Sequence, residues 1–109
     1  MESTIVRALI EELEAEINNG GFDQFFFNSA GNQTAETIEA LKLIGAFKTA
    51  EIVTRAANKF PGGMPPTEWF ERQNILEQVS PESDAFENED KAFYEYQDDL
   101  ANLLPTYAG

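Results

Sequence analysis

Carboxylates are the only abundant reactive chemistry in this sequence: 20 Asp and Glu stand against 7 Lys and Arg in 109 residues, with no histidine and no cysteine. Without those two residue types the chain cannot build a Ser-His-Asp or Cys-His relay, a thiolate nucleophile, or a zinc site of the usual nitrogen and sulfur kind. Catalysis would have to come from acids alone. Glu36 and Glu39 could be offered as a metal or acid/base pair. No histidine follows at the Glu-x-x-His spacing of di-iron bundles, however, and no calcium loop of alternating acids around a glycine is present. These absences point to a protein that is not an enzyme and needs no cofactor or metal.

What remains for the acids is electrostatics. A formal net charge of −13 should repel nucleic acid and anionic membranes, so neither direct nucleic-acid binding nor membrane binding is expected. From Glu82 onward eight acids stand against Lys91 alone, whereas Phe47 to Met64 is weakly basic. DNA presents one negative charge per roughly 1.7 Å of axis, and helix neighbours three or four apart lie about 5–6 Å from one another, so a row of carboxylates can approximate a row of phosphates. Glu12 and Glu16 share one edge of the first helix, and Glu11 and Glu14 the other. Near the C-terminus Glu87, Glu95 and Asp98, followed by Asp99, fall on the side away from Phe93 and Leu100. Lys91 interrupts that row, and a solvated surface is the competing explanation.

The elements that must position these acids are helical. Val6, Leu9, Ile10, Leu13 and Ile17 recur at three- and four-residue spacing and predict an amphipathic helix over Thr4 to Asn18, ended by Asn19, Gly20 and Gly21. Phe22, Phe25, Phe26 and Phe27 then predict one or two helical turns up to Asn28, with Asp23 as their cap and Ser29, Ala30 and Gly31 as the following turn. These rings belong in the core, and Phe26, nearly opposite Phe22 and Phe25, is the one left to meet a second chain.

Asn32 or Thr34 is expected to cap a third helix with Ala35, Ile38, Leu41 and Ile44 inward, before Gly45 interrupts it. A fourth runs from about Phe47 to Asn58. Pro61 to Pro66 is a connecting loop. Thr67 is expected to cap a helix that buries Phe70, Ile75, Leu76 and Val79, with Glu68 near its positive end and Trp69 covering the loop. A last helix from about Glu89 to Leu103 buries Phe93, Tyr96, Leu100 and Leu103, and Pro105 stops it. No run of alternating β-branched residues appears. The fold expected for residues 1–109 is therefore all-α, a single-domain bundle of five or six short helices.

Four stretches carry a resemblance: Asn18-Asn19-Gly20-Gly21-Phe22-Asp23-Gln24-Phe25-Phe26-Phe27-Asn28-Ser29, Ala35 to Leu41, Phe60-Pro61-Gly62-Gly63, and Tyr96-Gln97-Asp98-Asp99-Leu100. In these the chain resembles a bacterial family of uncharacterised helical domains that includes a DNA-mimic protein. The resemblance implies a helical, dimeric, acidic protein that occupies the DNA-binding face of a transcription factor. The matching residues Asn19, Gly20, Gly21, Phe22, Asp23, Phe25, Phe26, Asn28 and Ser29 look like determinants of fold.

The expectation is an acidic, non-enzymatic, cytoplasmic interaction protein, with a homodimer as one form open to it, whose partner is a DNA-binding protein met through DNA mimicry. Its surface would be carried by Glu11, Glu12, Glu14, Glu16, Glu87, Glu95, Asp98 and Asp99. The alternative is an immunity or regulatory protein that caps its partner through apolar contacts, without imitating DNA.

Overall fold

A computed structural model describes residues 1–108 and contains six α-helices and no strand among them. The first, α1 (Ser3–Phe27), is 25 residues long and bends at Gly20 and Gly21. Its first arm buries Val6, Leu9, Ile10, Leu13 and Ile17, the predicted stripe. Gly21 makes the bend with φ 71°, and a Cβ there would lie 2.5 Å from the Asp90 carboxylate. The second arm resumes at Phe22, whose amide is the first left without a helical acceptor. Asp90 Oδ1 accepts it at 2.8 Å, from 68 positions away. The cap expected of Asp23 is thus supplied by Asp90.

A 3₁₀ turn, Ser29–Gln33, leads into α2 (Thr34–Leu43), followed by α3 (Phe47–Ala57). Neither candidate cap of α2 is used as expected. The Thr34 hydroxyl donates to Gly31 O, and Asn32 Oδ1 accepts from Arg72. The helix α4 (Trp69–Val79) is capped by Glu68, whose carboxylate accepts the Phe70 and Glu71 amides at 3.0 and 2.8 Å. A carboxylate there outcompetes the Thr67 hydroxyl because it takes two amides at once and meets the positive end of the helix dipole.

The expected last helix is two: α5 (Glu87–Tyr94) and α6 (Leu100–Thr106). Tyr96 adopts φ 47°, which breaks the helix. Asp98 leaves the helical path to accept the Thr49 amide at 2.6 Å and the Thr49 hydroxyl at 2.9 Å, near the start of α3. Asp99 then caps α6 through the Asn102 amide. Pro105 lies inside α6 rather than beyond it. Tyr96 is not buried; its hydroxyl donates to Glu14 and accepts from Asn18, which ties the link between α5 and α6 to the first arm of α1.

One contiguous apolar cluster joins these helices. Its centre is aromatic: Phe26 stands 4.9 Å from Phe60 and 5.2 Å from Phe86, centroid to centroid, and Phe22 packs on Phe25, Phe26, Phe86 and Phe93. Phe26 is therefore wholly inside and not free for a second chain. Phe60 and Phe86, brought in by loops, close over the face of the second arm that the sequence left open. The ring turned outward is Phe27, 54% exposed.

Candidate partner-binding surface

The carboxylates fall into two groups by what they touch. Four of the eight predicted surface acids are engaged in holding the fold. Glu14 accepts the Tyr96 hydroxyl at 3.0 Å. Glu16 accepts from Gln24 and Asn28 at 3.0 and 2.8 Å, bridging the bend of α1. Asp98 and Asp99 cap α3 and α6, as described. Glu11, Glu12, Glu87 and Glu95 are exposed, and only Glu95 makes a side-chain hydrogen bond, with Gln97 at 3.2 Å. The edge carrying Glu11 and Glu14 lies beside Tyr96 and hence near Glu95. Glu16, on the other edge, instead turns toward the second arm, where Gln24 and Asn28 donate to it.

Little positive charge offsets them. Among the described residues there are two ion pairs: Arg55 with Glu51 at 3.5 Å on the surface, and Lys59 with the buried Glu89 at 2.6 Å. Glu36 and Glu39 are exposed on α2, and no three acids converge in a group that could hold a metal among the described residues.

No local pattern in the sequence marks Arg72. It is 0% exposed and has no carboxylate in contact, yet all its donors are used. Nε donates to Phe26 O at 2.7 Å, Nη1 to Pro66 O and Thr67 O, and Nη2 to Asn28 O and Asn32 Oδ1. Trp69 Nε1 and Gln73 Nε2 both donate to Phe27 O, at 2.7 and 2.9 Å. One face of α4 thereby satisfies the last carbonyls of α1, which have no helical donors of their own, and places a cation at the negative end of that helix. Burial lowers the pKa of Arg72, and nearby Glu68 partly restores it. Gly31 is required beside it, because a Cβ there would lie 2.7 Å from Arg72 Nε and 2.9 Å from Phe25 O. Trp69 is used on that carbonyl and stays 41% exposed, instead of covering the loop. Phe70 stacks on it, 71% exposed rather than buried.

Next to this junction lies an open groove of about 570 Å³ between the second arm of α1 and α4. Asp23 and Phe27 line one wall, Gln73, Leu76 and Glu77 the other, and Ser80 closes toward the acidic link. Both charged groups of the lining are acids, and neither has an ion-pair partner. Burial raises the pKa of Asp23, a hydrogen bond from Ser80 opposes this, and the charge of Asp84 adds to it. Asp90 is raised as well, again chiefly by burial, against the Phe22 amide and with the charges of Asp23, Glu89 and Glu87. Glu68 is held below its ordinary range by the Glu71 and Phe70 amides.

An all-α fold with a phenylalanine core and a surface of unpaired carboxylates defines a helical acidic domain without a recognisable catalytic centre among its described residues. The sequence profile of the DMP19-like protein family matches residues 4–108, and the chain belongs to that family. This is a DNA-mimic protein family, the one whose motifs the phenylalanine block carries. No curated protein and no solved structure matches the chain. No helix among the described residues is long and apolar enough to cross a membrane.

Proposed function

We propose that this protein is a non-enzymatic DNA mimic that occupies the DNA-binding face of a transcription factor or another DNA-binding protein, in the homodimeric form that the family resemblance implies. The observation that carries this reading is a surplus of exposed carboxylates, 20 acids against 7 bases with two ion pairs among the described residues, on a chain of the DMP19-like family. Such a surface steers a basic partner electrostatically and competes for contacts the partner would otherwise make to phosphates. Glu11, Glu12, Glu87 and Glu95 present their charge outward. Glu14, Glu16, Asp98 and Asp99 add to the field while bracing the helices.

The test is capture at low salt on the immobilised protein, followed by elution with salt and with duplex DNA. A DNA-binding protein displaced by both supports mimicry; its affinity should fall steeply with ionic strength and drop when Glu11, Glu12, Glu87 and Glu95 become glutamines. Unchanged affinity in that variant defeats the proposal. One observation favours the second reading, an immunity or regulatory protein that caps its partner: Phe27, Trp69 and Phe70 form an exposed aromatic group. A contact centred there would resist salt and ignore DNA.

A further inference from the structure

The groove between the second arm of α1 and α4 is built differently from the rest of the acidic surface. Asp23 and Phe27 are one turn apart on α1, and Gln73, Leu76 and Glu77 form one stripe of α4 that Ser80 continues at its C-cap, so two helix faces line it. Leu76 supplies an apolar, nearly buried floor. Phe27 gives an exposed ring. Gln73 commits its amide nitrogen to Phe27 O, which leaves its oxygen as a free acceptor. Every charged group of the lining is negative, with Asp84 close enough to act on Asp23.

We infer that this groove receives an arginine side chain of the protein partner, its guanidinium lying against the Phe27 ring between the carboxylates of Asp23 and Glu77. Charge complementarity selects a cation. The flat ring and the several separated acceptors select a guanidinium over an ammonium, because the former is planar, weakly hydrated and donates in a fork. The inference rests on the partner-binding reading above and assigns its most specific contact. DNA-binding proteins carry such arginines for phosphate and base edges.

The test uses the full chain, labelled with ¹⁵N, titrated with Nα-acetyl-arginine amide and with the matched lysine and citrulline amides at constant ionic strength. Saturable shifts centred on Asp23, Phe27, Gln73 and Glu77, with lysine about tenfold weaker and neutral citrulline silent, are expected. Glu77→Gln, at an exposed position, should leave the melting temperature unchanged and weaken arginine binding about tenfold. Phe27→Leu should erase the preference for arginine over lysine. Shifts spread evenly over the surface carboxylates, equal responses to lysine, or binding of citrulline would each overturn the assignment. DNA-competable partner capture that persists in Glu77→Gln would refute the groove alone. Loss of DNA competition in the unmodified chain would refute mimicry while leaving the titration valid.

Discussion

Arg72 and Asp23 sit near one junction, where the end of α1 meets α4, and each draws charge out of water, but they are treated in opposite ways. Arg72 is sealed off with five acceptors, four of them backbone carbonyl oxygens, and has no freedom to meet anything else. Asp23 is half-buried beside other acids, with no cation. A buried charge that is fully hydrogen-bonded organises structure, whereas a withdrawn charge left among like charges costs free energy that an outside cation would recover. One side of the junction is finished by the chain itself, whereas the other keeps its acids without a counter-charge.

The largest effect should come from breaking the finished side. Arg72→Met removes the donors for the Phe26, Asn28, Pro66 and Thr67 carbonyls and leaves that of Phe26 buried without one, and a loss of roughly 3–5 kcal/mol is expected in denaturant unfolding. Gly31→Ala should act in the same direction by pressing on the guanidinium. A melting temperature unchanged in both variants would show that the carbonyls find other donors and that the contrast with Asp23 is empty.

An intermediate effect is expected at the engaged acids. Asp98→Ala deletes two hydrogen bonds to Thr49 and frees the link between α5 and α6, for a loss of about 1–2 kcal/mol. Hydrogen exchange should speed up at the start of α3, far along the chain from the substitution.

These two cases also show where the sequence is legible. The first arm of α1, its glycine break and the short phenylalanine arm follow from three- and four-residue spacing and from residues that disfavour helix, and the structure has all three. The joint between α5 and α6 is hidden, because Phe93, Tyr96, Leu100 and Leu103 keep a helical period straight through it. The helix breaks there at Tyr96, and Asp98 just beyond it accepts the amide and hydroxyl of Thr49, 49 residues away. Asp90 on Phe22 and Arg72 on Phe26, Asn28 and Asn32 are of the same kind. Local pattern reports which residues are helical, but a polar side chain's distant partner appears only once the helices are packed. The groove is invisible in the sequence for the same reason, since Asp23 and Glu77 come to line one groove only through the docking of α4 that Arg72 fixes.

A smaller effect of opposite sign is expected at the open side. Asp23 and Asp90 hold their protons more tightly in the folded chain than at their ordinary value of 3.8. From neutral pH down through those raised values the native state takes up more protons than the unfolded one, so these two groups add stability as pH falls, until it approaches 3.8. Glu68 works against them, since its contribution is present above its ordinary 4.5 and is lost as pH falls through its lowered value. Asp23→Asn should therefore raise stability at neutral pH and flatten the rise as pH falls toward 3.8, as read from denaturant midpoints. A variant less stable than the parent at neutral pH would mean that the Ser80 contact outweighs the burial of the charge.

The smallest stability effect should fall where the binding effect is greatest. Glu11, Glu12, Glu87 and Glu95 are exposed and make no ion pair among the described residues, so converting them to glutamine should change unfolding by no more than about 0.5 kcal/mol. Any change should be toward greater stability at low salt, because like charges three or four apart on a helix repel. The matched set, glutamine at Glu14 and Glu16 with asparagine at Asp98 and Asp99, removes the same formal charge yet should destabilise, because a neutral amide accepts hydrogen bonds more weakly at helix ends and across the α1 bend. Equal charge removed with unequal stability lost separates acids that brace the fold from acids that face a partner. If both sets cost the same stability, the division drawn between them has no energetic content, and the outward acids must hold contacts within the chain as well.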